Sequence, residues 1–354
     1  MQILTTILQY ILAIIGLSLI VIVHELGHFS MAKIGGIHVE EFFIGFGPRI
    51  FKRKDRSGTI FGISAIPFGG YNKLLGMDRN KSIPPDMKDK SYNEKPFYKK
   101  LLVVVGGPGF NVIFAVILMG IFLSMGMQVP TATIDFVVPE APADISGFKI
   151  GDEVIALNDK DIESWDDFSE VTKKYPGEEV TYTVIRDGRE VNLEVRLDNK
   201  EGQGFLGISP LFVKEKLGFL KIVKESFRMT GNIIVDYAKF FGMLFSGKIP
   251  LSEARPVSPI GVVSIFQQSA SIGMQNFIGF VAFVSIAIGI ANLIPILPFD
   301  GGNVVLIIIE AIRRKAVPRK VLEIFNSAGI FILVSILIIG IVFDIISPLN
   351  IMNM

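Results

Sequence analysis

The first 23 residues carry no charged side chain, and Ile3–Val23 is apolar almost throughout. A helix of about 20 such residues crosses a bilayer. Three more stretches share the pattern: Leu101–Met127, Val257–Phe299 and Ile324–Phe343. The third is long enough for one span plus a membrane-embedded lead-in. Half of the 354 residues are hydrophobic, which argues against a single soluble globule. The first run has neither the basic start nor the small-residue cleavage site of a signal peptide, so it reads as a retained span. The expected fold is a polytopic α-helical membrane protein with about four transmembrane helices.

The loops orient those spans. Lys52, Arg53, Lys54, Arg56, Lys99 and Lys100 crowd the first loop, and Arg313, Arg314, Lys315, Arg319 and Lys320 follow the third span. The N-terminus and the tail Asn350–Met354 carry no basic residue. Basic loops stay in the cytoplasm, so both termini and the segment between spans two and three are expected outside. A net charge of +1 gives no reason to expect a nucleic-acid partner; the lipid bilayer is the expected one.

Four regions follow from this reading. Residues 1–128 form an N-terminal membrane region with spans one and two. Residues 129–210 alternate apolar and polar side chains, as half-buried strands do, with Asp187-Gly188 as a hairpin turn and a short helix at Trp165. They read as one inserted, extracytoplasmic, β-rich module. Residues 211–256 form a linker whose part 217–246 has rough helical spacing broken by charge. It is either an amphipathic helix at the membrane surface or against the module, or an ordinary surface helix. Residues 257–354 form a C-terminal membrane region with spans three and four. Within the first region, 40–75 reads as a β-hairpin, aromatic and β-branched, turning at Asp55-Arg56-Ser57-Gly58. An open sheet edge cannot face lipid, so this hairpin is expected at the interface, inside the protein, or lining a wet cavity.

Chemistry enters at His24-Glu25-Leu26-Gly27-His28. On a helix, positions i and i+4 share a face, so two imidazoles can grip one Zn²⁺. Glu25 stands beside them, placed to take a proton from water. Ionisable groups at the end of an uncharged span are costly there and point to function. The chain has no cysteine and only one further histidine, His38. A hydrolytic zinc site needs a third protein ligand and an open position. The extended H-E-x-x-H-x-x-G-x-x-H pattern fails, because Met31 and Ile34 occupy the positions of its glycine and third histidine. His38 therefore reads as a loop or strand residue. Asp300 is the better candidate. It is the first charged residue after Arg255, and Pro295, Pro298, Gly301 and Gly302 break the helix around it. Taken alone, it could equally cap the next helix. Two histidines lacking a third partner favour the ligand role.

These segments resemble the site-2 protease family, close to its bacterial RseP-type members, over nearly the whole chain. Besides the HELGH motif, Phe43–Pro48 and Ile66–Lys73 match the family's membrane-associated hairpin. Ser91–Pro96 with Gly107-Pro108-Gly109-Phe110-Asn111 matches its approach to the second span, and Asn292–Gly302 (NLIPILPFDGG) its third-span motif. The resemblance implies Glu25 as catalytic base, His24, His28 and Asp300 as zinc ligands, and Asn292 as a residue holding extended substrate backbone. It makes the inserted module a single PDZ domain, with Gly204–Ile208 as its permuted carboxylate-loop strand. It places the protein in a bacterial inner membrane. Its substrates would be membrane proteins with one transmembrane segment, such as anti-sigma factors or remnant signal peptides. Three places depart from the pattern: Leu297-Pro298-Phe299, Ser258-Pro259-Ile260-Gly261, and Asn303 where many members have histidine.

The expected activity is that of a zinc metalloendopeptidase cutting within or near transmembrane segments. Two rivals remain: a membrane zinc protease acting outside the bilayer, and a non-enzymatic scaffold presenting the module. The first would use a downstream glutamate ligand on another helix, for which there is no clean E-x-x-x-D candidate. The second needs no stoichiometric metal.

Overall fold

The N-terminal apolar run folds as one helix, α1 (Gln2–Ile34), which carries the HELGH motif inside it rather than at its end. The structure is a computed structural model and describes residues 2–77, 81–250 and 255–350. Residues 251–254 of the expected linker and the tail beyond Asn350 lie outside the described residues. The chain divides into two compact units: residues 1–123 with 219–354, and residues 124–218.

After α1 come β1 (Val39–Lys54) and β2 (Ile60–Leu74), joined by the expected turn. They do not form a simple hairpin. Phe42 pairs with both Asn72 and Phe61, while Phe61 also pairs with Arg53. Each strand bends back, giving four short segments in the order 70–74, 39–44, 60–64, 49–54. Gly45 and Gly69 sit at the bends with φ of 84° and 89°, a region open to glycine and strained for other residues. A side chain at Gly69 would also collide with the Phe46 ring. Arg49 and the Tyr71 hydroxyl both donate to Oε2 of Glu41, at 2.6 and 2.8 Å, and so tie the sheet together. Helix α2 (Phe97–Ser124) follows.

The second unit holds β3 (Met127–Val137), α3 (Pro142–Ile145), β4 (Glu153–Leu157), β5 (Lys160–Asp161), α4 (Trp165–Thr172), β6 (Glu179–Arg186), β7 (Arg189–Arg196), β8 (Asp198–Lys200), β9 (Gln203–Phe205) and β10 (Ile208–Glu215). Its main sheet runs β10-β3-β4-β6-β7, antiparallel throughout. Asp187 and Gly188, both at positive φ, make the tight β6–β7 turn, as such a pair does in two-residue hairpins. Ser164 caps α4 through the Asp167 amide. Ile134, Val154, Leu157, Phe168, Tyr182 and Leu197 fill the core. Buried Asp152 is held by a two-pronged contact from Arg186, at 2.7 and 2.6 Å.

The chain returns to the first unit with α5 (Phe219–Phe245), α6 (Pro259–Ile272), α7 (Met274–Asn292), α8 (Asp300–Arg313) and α9 (Arg319–Ile346). The stretch expected to hold a lead-in and a span is α6 and α7. One face of α5 packs on other helices: Ser226, buried, lies beside Gly120 of α2, and the Tyr237 ring lies tilted 5.6 Å from that of Phe283 of α7, while Phe219, Leu220 and Phe227 stay exposed. Ala13, Ile20, Phe266, Phe277 and Val281 form the core between α1, α6 and α7.

Four helices, α1, α2, α7 and α9, are long and apolar enough to cross a membrane. Only Gly329 and Gly340 of α9 are buried, while Ile324, Phe331 and Ile346 are 67, 73 and 77% exposed. In water such an apolar surface would cost about 25 cal/mol per Å². In lipid it costs nothing of the kind. The fold fits a membrane protein with an inserted β-rich unit.

Candidate metal centre

Helix periodicity sorts the α1 motif into two stripes. Glu25, Phe29 and Lys33 face β1 and β2. Asn72 donates to Glu25, Phe29 packs on Phe42 and Phe61, and Lys33 donates to Ser57 and Thr59. His24 and His28 face α2 instead. There Val103 accepts from His28, and Asn111 lies against His24. The two helices approach closely because Gly27 meets Gly106, where a Cβ would strike the opposing backbone. Gly107 lies directly against the imidazoles, and any side chain there would run into Nε2 of His28.

Asp300 arrives from the far end of the chain. Residues 293–299 leave the helical path after α7, and Asp300 opens α8. Gly301 and Gly302 sit so close to the carbonyls of this segment that neither tolerates a Cβ. Gly329 of α9 presses on the Leu297 carbonyl in the same way. Asp300 is the first residue of α8, after an N-cap at Phe299 that makes no side-chain cap bond, so it does not cap the helix; its carboxylate reaches the histidines instead.

The three candidate ligand atoms form a nearly regular triangle. Nε2 of His24 and Nε2 of His28 are 3.1 Å apart, and each is 3.2 Å from Oδ2 of Asp300. Tetrahedral zinc with ligands at ~2.0–2.1 Å has edges of about 3.3–3.4 Å, close to this triangle. The donor chemistry agrees. A carbonyl only accepts, so His28 must give its Nδ1 proton to Val103 at 2.8 Å. In the neutral ring Nε2 then presents a lone pair to a carboxylate, a repulsive contact that a metal cation or a further proton between them relieves. Oδ2 of Asp300 is buried and has no hydrogen-bond partner among the described residues. Asn111 is fully buried, its amide nitrogen is 3.4 Å from Nδ1 of His24, and its Oδ1 has no partner among the described residues. The opposite amide orientation would let Oδ1 accept the Nδ1 proton of His24 and free that ring's Nε2 as a ligand. These three residues can hold a metal ion, and Gly107 leaves the room for it.

A cavity of about 280 Å³ opens beside the triangle. Tyr71, Asn72, Val104, Asn292, Pro298 and Asn303 line it together with Glu25 and the three candidate ligands. Asn292 donates to the Ile288 carbonyl of its own helix at 2.9 Å. His38 is not in the group. It lies against Gly58 of the turn, where burial first and then the neighbouring Lys33 push its pKa down. Sequence reasoning assigned no role to Asn72, Asn111 or the Val103 carbonyl. The two asparagines do lie in motifs already singled out, and a polar side chain in an apolar setting was the available signal.

The sequence profile of peptidase family M50 matches residues 12–336. The chain belongs to this family, the site-2 proteases. A family relative from Clostridium acetobutylicum, provisionally named a zinc metalloprotease, is 31% identical over 344 residues, covering 96% of this chain and 98% of its own. A Fusobacterium nucleatum protein with the same provisional name is 32% identical, covering 94% of this chain and 98% of its own. Another from Brucella suis is 31% identical, covering 90 and 89%. Membership in M50 supports a metalloprotease activity for this chain.

Proposed function

We propose that this protein is an intramembrane zinc metalloprotease that hydrolyses peptide bonds within or near transmembrane segments of other membrane proteins. The observation that carries the reading is the convergence of His24, His28 and Asp300 on one point, where both histidines belong to a helix apolar enough to span a bilayer. Zinc held there supplies a Lewis acid and a water acidic enough to ionise near neutral pH. Glu25 takes the proton from the attacking water at its carboxylate and returns it to the departing amine. Asn292 lines the cavity, which supports a role in holding the substrate backbone.

A transmembrane substrate must unwind before its backbone is open to attack. The folded β1–β2 sheet offers an edge for such a strand. Segment 60–64 is paired on both sides, so it is not that edge. Among the described residues, segment 70–74 pairs on one side only, and it carries Tyr71 and Asn72 into the cavity. It is the better candidate for strand addition, with the sheet associated with the membrane. The antiparallel unit 124–218 supports a PDZ-like reading, in which it selects or excludes substrates by their outer portions. The distribution of lysine and arginine supports a cell-membrane protein with basic loops in the cytoplasm and this unit outside. Single-span proteins, such as anti-sigma factors or remnant signal peptides, are the substrate class.

The test is Glu25→Gln in the purified full chain with a single-span substrate. Loss of cleavage with about one zinc per chain retained is expected. Normal cleavage would end the proposal, and a chain purified without stoichiometric zinc would favour a scaffold.

A further inference from the structure

Glu25 is the candidate base, and its carboxylate has one hydrogen-bond donor among the described residues, Asn72 of β2. The Asn72 amide nitrogen lies 2.6 Å from Oε2 of Glu25 and 2.8 Å from the Glu25 backbone carbonyl. Both partners accept only, so the amide orientation is fixed: each N–H has its own acceptor and Oδ1 faces away. Oδ1 is buried without a partner among the described residues.

Asn72 is itself held in place. It pairs with Phe42, whose ring packs 5.4 Å from that of Phe29, one turn beyond Glu25 on α1. Lys33, a further turn along, reaches Ser57 and Thr59 at the hairpin tip. Two residues before Asn72, Gly70 passes so near that a Cβ there would lie 3.0 Å from Cγ of Glu25. The strand therefore packs on the stem of the glutamate while Asn72 grips its head. A glutamate left free would sample several rotamers, and fixing it costs entropy. A charge-assisted contact from a residue locked by packing offsets that cost before substrate arrives.

We propose that Asn72 is the positioning residue for Glu25, so that the β1–β2 sheet sets where the base stands. The inference rests on the reading of Glu25 as base. That reading is tested separately by Glu25→Gln, which must abolish cleavage whatever Asn72 does.

The experiment compares N72D, N72L and N72Q in the full chain, with cleavage kinetics on a single-span substrate, zinc content and melting temperature. N72D keeps the size but sets a carboxylate against Glu25. N72L removes the donors. N72Q keeps them on a longer stem. We expect kcat to fall about tenfold or more in N72D and N72L, in line with the cost of misplacing a catalytic group. KM, zinc content and melting temperature should stay at parental values, and N72Q should retain more activity than N72L. Parental kcat in N72D and N72L would overturn the clamp and leave the protease reading standing. So would a fall in rate matched by loss of zinc or of folded protein in both variants.

Discussion

Nε2 of His28 stands 3.2 Å from Oδ2 of Asp300 while its Nδ1 donates to the Val103 carbonyl. A lone pair thus faces a carboxylate in a pocket where both side chains are less than a fifth exposed. A metal cation between them resolves that contact, as does a second ring proton, which would leave the bond to Val103 intact. The metal reading rests on this pair more firmly than on the HELGH spacing.

Asp300→Asn should therefore release the metal. An amide oxygen is neutral and a weaker ligand. Zinc affinity should fall by more than the ~10–100-fold typical of outer-shell changes. Zinc content after dialysis against a mild chelator measures it, with Glu25→Gln as the variant that keeps its metal.

Gly107→Ala should also lose zinc, for steric reasons. The new methyl would meet Nε2 of His28 and lie 2.9 Å from Cε1 of His24. In an ordinary helix interior the same change stabilises by roughly 0.5–1 kcal/mol. Here zinc affinity is expected to fall about 10–100-fold, read by competition with a chelator.

Single prolines along 70–74 should impair cleavage more than prolines along 49–54, with zinc retained in both. Both segments pair on one side only, but only the first carries residues into the cavity. Proline is tolerated best at sheet edges, so the fold should survive. Equal effects at both edges would separate the sheet from substrate binding.

The hairpin tip should loosen in acid. Slight burial pushes the Asp55 carboxyl up, but hydrogen bonds from Ser57 and Thr59, with Lys33 nearby, outweigh it and hold the carboxyl below its usual range. A carboxyl depressed on folding adds stability above its unfolded pKa, and that stability is lost as pH falls through the folded value. The protection of the Thr59 amide, which donates to Asp55 at 2.8 Å, relative to its intrinsic exchange rate should fall below about pH 4 in the parent. Asp55→Asn should remove that pH dependence.

Much of this was legible in the sequence, for physical reasons. Charge-free runs report membrane spans directly, because the cost of burying charge in lipid leaves little freedom. His24, Glu25 and His28 share one helix, so spacing alone places them. Asp300 stood out as a lone acid after a long uncharged stretch. What stayed hidden depends on contacts distant in sequence. The fold-back of β1 and β2 turns on Gly45 and Gly69, whose positive φ no alternation pattern reveals. Asn72 and Asn111 matter through residues 47 and 87 positions away. The α1–α2 approach at Gly27 and Gly106 is likewise a match between two helices that neither segment shows alone.

The most direct test of intramembrane cleavage is the position of the cut. A single-span substrate is incubated with the purified protein and with Glu25→Gln, and the product masses are measured. The account predicts a scissile bond inside or at the border of the substrate's apolar segment, produced by the parent and absent with the variant. A cut confined to the substrate's soluble loops, or one that persists with Glu25→Gln, would contradict it.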